Sequence, residues 1–338
     1  MQHYKENPSA IAPKSRYNEV ISFIEGGLKD LSISRSTFKW GIPVPNNDQH
    51  ILYVWLDALT NYITAIGYPD TESTLFKRYW PGIHIVGKDI LRFHAVYWPA
   101  FLMAANLDPP KRIFAHGWWT NEGQKISKSI GNVIDPYDIV NTYGLDQIRY
   151  FLFREVPFGN DGDLSKEAIV TRANADLSNN LGNLVQRVCS FVNKNCDSIV
   201  QNEFNLENED KKLLELSILK HKNYNIFFDN QEIDKAIKEV FELISETNAY
   251  VDKQAPWNLK KTDENRMNVV LSVAIEIIRR SIIMLYPIIP GSTEKILQIL
   301  NLNIKKISFE SFDKLPISSL KINKSFPIFP RIESEDQG

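Results

Sequence analysis

The stretch Ile83-His84-Ile85-Val86-Gly87-Lys88-Asp89 has the pattern of a short buried strand that ends at a glycine and turns into a helix. The same plan occurs earlier, where Ile51-Leu52-Tyr53-Val54-Trp55-Leu56 leads through Asp57 into an amphipathic helix that Gly67 closes. A third apolar run, Ile113–Ala115, supplies a further strand. Strands that alternate with helices predict a parallel, doubly wound α/β sheet, and such sheets bind ligands beyond the carboxyl ends of their strands.

From Pro136 onward the patterns are helical only. The sequence predicts a short helix from Pro136 to Tyr143, a second from Asp146 to Glu155, and a long helix after Ser165. Further amphipathic helices are predicted at about 209–229, 231–253, 263–286 and 292–300. This half of the chain is therefore expected to be an all-α helix bundle.

The composition is that of a globular protein of about two domains, with 338 residues, 43% hydrophobic and 24% charged. The net charge is −2, so nucleic acid would need local basic pairs such as Lys77-Arg78, Lys111-Arg112 or Arg279-Arg280, for which an ordinary solvated surface is the alternative. Cys189 and Cys196 are too few for a zinc site and are expected to be reduced packing residues. We find no leader pattern or membrane-length apolar run and expect a cytoplasmic protein with no membrane partner.

Lys125-Ile126-Ser127-Lys128-Ser129 is the most distinctive loop. It lies between Gly123 and Gly131, which let the backbone move. Two lysines three residues apart, with hydroxyls between and after them, can surround phosphate oxygens with ammonium and N–H groups. A charged surface loop is the alternative, and five residues alone do not decide between the two.

Further blocks extend this signal over the chain from about Asn18. They are Tyr53–Ala58, Gly87–Ile90 with Phe93-His94, Ala115–Gly117, the lysine loop, Phe158–Asp163, Asn174–Asp176, Ala255–Trp257 and Phe329–Ile332. In this order they resemble the methionyl-tRNA synthetase family of class I aminoacyl-tRNA synthetases, and the loop resembles the KMSKS signature with Ile126 in place of Met. The resemblance implies attachment of methionine to its tRNA through a methionyl-adenylate, with ATP and Mg²⁺ as cofactors and no zinc site in this chain.

In that family the loop lysines stabilise the pyrophosphate leaving group, which implies Lys125 and Lys128 as catalytic residues. The physics agrees, because an ammonium placed at the leaving oxygens stabilises the transition state selectively. Asp89 is expected at the ribose hydroxyls, with a helix N-cap as its alternative role. The implied ATP-binding residues are Gly87, Asp89, His116, Gly117, Lys125, Ser127 and Lys128.

A methionine pocket needs apolar walls and aromatic faces for the thioether. The resemblance implies that Trp55, Ala58, Tyr62, Ile90, His94 and Tyr97 form it, with Phe93 beside them. The alternatives are an ordinary core aromatic for Phe93 and a hydrogen-bonded buried histidine for His94. Leu59 stands where some branches of the family have proline, which concerns the shape of the pocket and not the reaction.

Asn179, Asn183 and Arg187 recur every four residues and are predicted to form one stripe of the long helix. The resemblance implies that this stripe and Pro256-Trp257 read the CAU anticodon by hydrogen bonds and base stacking. Asparagine is a poor helix former, so the several asparagines here have either a function or a compositional origin.

The second signature of class I synthetases, HIGH, is absent from the sequence around every histidine, namely His3, His50, His84, His94, His116 and His221. We therefore expect the C-terminal part of a synthetase, weak or inactive alone, with the missing N-terminal half as a partner. The expected order is the end of a connective insertion at 1–40, the C-terminal half of a Rossmann-like catalytic domain at 41–130, a stem-contact segment at 131–164 and the anticodon-binding bundle at 165–338.

Two other functions stay open. A class I synthetase for leucine, isoleucine or valine would have a similar pocket, since apolar pockets discriminate by only about 1–3 kcal/mol per methylene. Those enzymes, however, carry a large editing insertion for which this chain has no room. A non-catalytic tRNA-binding protein made from synthetase parts would suit the absence of HIGH.

Overall fold

The chain folds into two compact units in a computed structural model that describes residues 1–126, 129, 131–201, 205–303, 308–313 and 319–333. The first unit comprises Met1–Trp118 with Gly159–Asp161, and the second comprises Trp119–Phe158 with Gly162–Gly338. The first has the α/β character and the second the helical character that the sequence predicts. The domain boundaries predicted at residues 40, 130 and 164 stay predictions.

The first unit contains a three-stranded parallel sheet and a separate three-stranded antiparallel sheet. Its strands are β1 (Ile11–Ala12), β2 (Ser34–Arg35), β3 (Pro43–Val44), β4 (Asn47–Leu52), β5 (Ile83–Gly87) and β6 (Arg112–His116), and its helices are α1 (Gln2–Glu6), α2 (Lys14–Glu25), α3 (Val54–Thr64), α4 (Thr74–Tyr79) and α5 (Trp98–Ala104). The sheet order is β1-β6-β5, and the register pairs Gly87 with His116 at the carboxyl ends of the two longer strands. The predicted parallel strands at Ile83–Val86 and Ile113–Ala115 are thus confirmed.

The predicted strand Ile51–Leu56 of the doubly wound sheet is wrong. β4 ends at Leu52 and lies in a separate antiparallel sheet between β2 and β3, and α3 already starts at Val54. Asn46, at φ 62°, lies in the tight turn between β3 and β4, so the polar residues before Ile51 belong to a hairpin. A short apolar run cannot distinguish a strand from the start of a helix.

Two apolar clusters form the core of the first unit. One lies around Tyr4, Ile11 and Val20 and includes the β5 and β6 side chains Val86 and Ile113. The other gathers Leu59, Ile63, Phe76, Trp98 and Leu102 beneath α3 and α5. The same helix α3 therefore buries one face and leaves the face with Trp55, Ala58 and Tyr62 more open.

The second unit is mostly helical. Its helices are α6 (Pro136–Tyr143), α7 (Leu145–Arg154), α8 (Lys166–Arg172), α9 (Asn183–Asn195), α10 (Asn208–Asp229), α11 (Ile233–Gln254), α12 (Pro256–Thr262), α13 (Glu264–Leu285) and α14 (Pro290–Ile299), and its short strands are β7 (Trp119–Asn121), β8 (Gln124–Lys125), β9 (Gly162–Asp163), β10 (Ile199–Val200) and β11 (Leu320–Lys321). The predicted bundle helices agree with α10, α11, α13 and α14 to within about two residues. Asp135 caps α6, because its carboxylate accepts the Tyr137 N–H at 2.7 Å.

The long helix predicted after Ser165 is continuous from α8 to α9, but its middle is not α-helical. Residues Ala173–Gly182 form a π-helical stretch that joins the two. Such stretches are rare in proteins and occur frequently at functional sites. A shorter π-helical turn, Phe93–Tyr97, leads into α5 in the first unit.

Helix α13 is the centre of the bundle and is buried along nearly its whole length. Arg279 and Arg280 lie inside and both donate to the buried Glu276 carboxylate at 2.7 Å. The interpretation of this pair as a surface patch for nucleic acid is therefore wrong. Two adjacent arginines look solvated in sequence, and only their burial against Glu276 shows that they are internal.

Candidate functional site

Asp89 lies just beyond the carboxyl end of β5. It belongs to the 3-10 turn Lys88–Ile90, which Gly87 precedes, so it is not the helix N-cap of the alternative interpretation. Its carboxylate is exposed and accepts the indole N–H of Trp118 at 3.3 Å. An exposed carboxylate at a strand end can accept hydrogen bonds from the hydroxyls of a sugar.

The two glycines at the strand ends permit close backbone approach. A Cβ on Gly87 would lie 2.6 Å from Asp89 Oδ1, and one on Gly117 would lie 2.1 Å from the Asn160 carbonyl oxygen. His116, between these groups, donates from Nδ1 to the Gly117 carbonyl at 2.8 Å. The residues of the strand ends that are predicted to surround a nucleotide, Gly87, Asp89, His116 and Gly117, are thus together.

Lys88 and Asp161 join this site although the sequence did not single them out. The Lys88 ammonium contacts both Asp161 oxygens, at 2.5 and 2.8 Å, and lies 4.3 Å from the centre of the Trp118 ring. The hydrogen bond from Lys88, followed by that from the Trp118 N–H, lowers the pKa of Asp161. Both residues fall inside blocks that carry the family resemblance, which was the available signal.

The aromatic residues predicted for the methionine pocket form a second group. The Trp55 and Phe93 rings are stacked with centroids 3.9 Å apart and planes 8° from parallel. The Tyr62 hydroxyl is 2.9 Å from Nε2 of the buried His94. Ala58 is exposed one turn before Tyr62 on the same face of α3.

Ile90 and Tyr97 pack elsewhere. Both side chains lie against the apolar cluster around Tyr4 and Val20, although the Tyr97 ring also contacts Phe93 edge-on at 5.7 Å. The structure therefore brings Trp55, Tyr62, Phe93 and His94 together, whereas Ile90 and Tyr97 lie between this group and the neighbouring core.

Sequence reasoning missed a layer of residues beneath this aromatic group. Trp98 donates its indole N–H to Nε2 of His84 at 3.2 Å, and the Tyr62 ring lies 4.2 Å from the His84 ring. Burial, and then the proximity of His94, lower the pKa of His84 to about 4. His84 alternates with exposed Ile83 and Ile85 along β5, and this strand alternation is the signal that could have placed it inside.

The lysine loop lies in the second unit. Lys125 is exposed in β8, which pairs with β7, and its carbonyl accepts the Asn132 side-chain N–H at 3.0 Å. The base of the loop is also fixed by Asp163, which accepts the Gly123 N–H at 2.7 Å. Ser127 and Lys128, the other predicted phosphate ligands, lie outside the described residues.

The predicted anticodon stripe begins inside the π-helical stretch, at Asn179, and continues into α9 with Asn183 and Arg187. Asn179 and Asn183 are exposed, whereas Arg187 is half-buried and donates to Asp252 at 2.6 Å and to the Asn248 side chain at 3.2 Å. The stripe therefore has two open amides beside a guanidinium held by α11.

Other asparagines of this region are structural. Asn174 exchanges two hydrogen bonds with the Ile332 backbone, at 2.8 and 2.9 Å. Asn180 donates to Ser245 at 2.9 Å and accepts from Asn248 at 2.9 Å. These contacts explain two of the asparagines in a helix that disfavours them.

Trp257 presents an open aromatic face. It follows the buried Pro256 at the start of α12, where Ala255 adopts the left-handed conformation at φ 45°. Its side chain is 40% exposed. An exposed ring fixed at a helix start is suited to stacking on an unpaired base.

No group of three His, Cys, Asp or Glu side chains in the described part of the chain is arranged to hold a metal ion. None of the helices described combines the length and apolarity needed to cross a bilayer.

Two family descriptions match the chain in succession. "tRNA synthetases class I (M)" matches residues 1–189, and "Anticodon binding domain of methionyl tRNA ligase" matches residues 201–336. The chain is 51% identical over 337 residues to the methionine-tRNA ligase of Brucella suis biovar 1 and 50% identical over 343 residues to that of Rickettsia felis. These matches cover 99% of the chain but 65% and 66% of the relatives, so it spans just under two thirds of their length.

Solved structures give the same result. The fold is similar to that of Mycobacterium tuberculosis methionyl-tRNA synthetase in complex with methionyl-adenylate, with a TM-score of 0.93 and 46% identity. The apo form of the same enzyme gives a TM-score of 0.92 and 44% identity. Each comparison covers 98% of this chain and 66% of the other.

Proposed function

The chain belongs to the methionyl-tRNA synthetase family, and from this premise we propose that it takes part in the ATP-dependent attachment of methionine to tRNA. One observation supports this best: the turn that carries Asp89 continues within four residues into the π-helical turn that carries Phe93 and His94. A sugar and a thioether side chain bound there would be neighbours, as they are in a methionyl-adenylate. The family match favours methionine over leucine, isoleucine or valine as the amino acid.

The nucleotide is proposed to bind at the strand ends. Asp89 accepts from the ribose hydroxyls, the glycines Gly87 and Gly117 leave room for the sugar and base, and the backbone at His116 faces the adenine. Mg²⁺, when bound together with ATP, would offset part of the negative charge of the phosphates. The methionine carboxylate attacks the α-phosphorus as its bond to the bridging oxygen breaks, and Lys125, Ser127 and Lys128 stabilise the departing pyrophosphate.

Methionine is proposed to bind the aromatic group. Trp55 and Phe93 supply faces for the polarisable sulfur, and small Ala58 leaves space on the same side of α3. Tyr62 and His94 supply the polar edge of the pocket. Ile90 and Tyr97 contribute only to its support, since their side chains pack into the neighbouring core.

The helical bundle is proposed to bind the anticodon of the methionine tRNA. Asn179 and Asn183 offer amide donors and acceptors to unstacked bases, Arg187 offers its guanidinium, and Trp257 behind Pro256 offers a stacking surface. This role and the adenylate chemistry both belong in the cytoplasm, where the tRNA is charged.

Binding of an anticodon stem-loop tests this function. We expect a CAU stem-loop to bind more tightly than one with a changed anticodon, and Trp257→Ala to weaken the CAU complex by about 5- to 150-fold, the loss of about 1–3 kcal/mol of base stacking. Trp40→Ala is the matched control, because Trp40 is 89% exposed and lies in the other unit. Equal affinity for both stem-loops would refute the proposal.

Adenylate formation is proposed to need the HIGH residues, which this sequence does not contain. We expect little ATP-pyrophosphate exchange from this chain alone. Exchange should appear on adding a polypeptide that corresponds to the part of the Brucella suis relative that the chain does not cover. If a folded complex of the two forms without activity, a non-catalytic tRNA-binding role is favoured instead.

A further inference from the structure

Four groups form a closed set of contacts at the ends of β5 and β6. Asp161 binds the Lys88 ammonium with both oxygens and also accepts the Trp118 backbone N–H at 2.8 Å. The Lys88 ammonium lies over the Trp118 ring, and the Trp118 indole N–H reaches Asp89. Lys88 and Asp89, the two ends of this set of contacts, are adjacent residues of the 3-10 turn Lys88–Ile90.

The backbone of the segment that carries Asp161 is closely packed. Gly117 approaches the Asn160 carbonyl so closely that a Cβ there would lie at 2.1 Å, and Gly159, at φ 112°, would bring a Cβ to 3.0 Å from Pro13. Residues 159–161 belong to the first unit although the segments before and after them belong to the second. Asp161 is therefore presented by tightly packed backbone, although its own side chain is 52% exposed.

Charge explains why a carboxylate is needed at this position. The Lys88 ammonium is mostly shielded from solvent, with 18% of its side chain exposed, and Asp89 is its neighbour in the same turn. Without Asp161, the nearest carboxylate in sequence for this ammonium is Asp89. An ammonium bound there would compete with any hydroxyl for the Asp89 oxygens, because charged hydrogen bonds are roughly twice as strong as neutral ones.

We propose that Asp161 is a positioning residue of the nucleotide site, which binds Lys88 and Trp118 so that the Asp89 carboxylate stays oriented and available to ribose hydroxyls. The inference rests on the proposed nucleotide site and on the ribose role of Asp89. Asp161 itself touches no substrate in this scheme. Its effect passes through Lys88 and through the indole of Trp118.

The test compares the affinities of MgATP and of its 2′,3′-dideoxy analogue by calorimetry. The ratio of the two affinities reports the hydrogen bonds to the ribose hydroxyls, which a general loss of folding would not change selectively. We expect Asp161→Asn to reduce the preference for MgATP about tenfold, with the affinity for the dideoxy analogue within about twofold of wild type. Asp70→Asn is the control, since Asp70 is an exposed carboxylate of the same unit that likewise accepts a backbone N–H, from Glu72.

A second variant separates positioning from plain structural support. Lys88→Met combined with Asp161→Asn removes the competing ammonium, and we expect it to recover most of the lost preference. An Asp161→Asn protein with the wild-type preference, or a double variant no better than the single one, would overturn the inference while leaving the proposed function intact. A wild-type protein with no preference for MgATP would instead overturn the ribose role of Asp89, and the inference with it.

Discussion

The Tyr62 hydroxyl donates a hydrogen bond to Nε2 of His94 across 2.9 Å, while Nδ1 of the same ring bonds the Ile90 carbonyl oxygen across 3.0 Å. A carbonyl oxygen can only accept a hydrogen bond, so Nδ1 carries the ring proton. Nε2 is then unprotonated and accepts the hydrogen bond from the Tyr62 hydroxyl. Burial lowers the pKa of His94, and the bond to Ile90 offsets part of that effect. His94 is therefore a neutral imidazole that presents a fixed edge to the candidate methionine pocket.

We expect nitrogen-15 NMR to find His94 in the Nδ1–H tautomer at pH 7.5. Tyr62→Phe should raise its pKa, because the phenol donates to the neutral ring and not to the imidazolium. A pH titration of the ring nitrogens measures both. Tyr79→Phe, at a tyrosine that is 52% exposed, should leave the titration unchanged, and a proton on Nε2 in the wild type would contradict the geometry.

The burial of His84 should make the free energy of unfolding depend on pH. Its pKa is about 4 in the folded chain and about 6.5 when unfolded, so the unfolded state takes up the proton first. Stability therefore falls as the pH drops from about 6.5 to about 4, and this group alone contributes about 2 kcal/mol of loss between pH 7 and pH 5. Urea unfolding of His84→Gln should show a correspondingly smaller loss over that interval. An unchanged slope in His84→Gln would count against a buried neutral His84.

A side chain at position 117 should clash with neighbouring backbone and destabilise the fold. An alanine there places a methyl group 2.1 Å from the Asn160 carbonyl, and backbone on both sides must move. We expect Gly117→Ala to lower the free energy of unfolding by about 1–3 kcal/mol, as over-packing does in cores. Gly26→Ala, at φ −65° with its nearest atom at 3.4 Å, should change it by less than about 0.5 kcal/mol. Equal effects in thermal or urea unfolding would show that the close approach carries no cost.

Local chemistry explains what the sequence could predict of the fold. Asp135 and Ser165 cap their helices where the sequence places the helix starts, because a cap needs only its own next turn. Strand β1 was not predicted, since Ile11 and Ala12 are too few for a pattern and their partner β6 is about a hundred residues away. Pairing between strands that are distant in sequence produces no recognisable pattern in the local sequence.

In the candidate site, too, the sequence predicts contacts within the resembling blocks better than contacts between distant residues. The aromatic contacts among Trp55, Phe93 and His94 follow from blocks that the family resemblance had already selected. The Lys88 and Asp161 contact joins residues 73 positions apart, and neither residue type alone suggests a partner. The ligand roles of these residues stay predictions.

Asp210, Tyr250 and Arg266 form a buried, charged hydrogen-bond network inside the helical bundle. The Asp210 carboxylate is fully buried, accepts the Tyr250 hydroxyl at 2.6 Å, and binds the Arg266 guanidinium through two hydrogen bonds of 2.5 and 2.8 Å. Burial by itself raises the pKa of Asp210, but the hydrogen bonds from Arg266 and Tyr250 outweigh it and the net pKa is lowered. The pair is thus ionised inside the protein.

We expect Asp210→Asn to lower the free energy of unfolding by about 3–5 kcal/mol, because the buried Arg266 guanidinium then keeps only a longer ion pair, 3.6 Å from the exposed Glu207, and a neutral hydrogen bond to Gln254. Urea unfolding measures this loss. Glu209→Gln is the matched control, since Glu209 is the preceding residue and pairs with Lys253 in solvent, where an ion pair contributes little. Combining Asp210→Asn with Arg266→Met should cost less than Asp210→Asn alone, because the buried charge that has lost its main partner is then removed. If the double variant were the less stable of the two, the loss would come from packing around α10 and α13 and not from the under-compensated guanidinium charge.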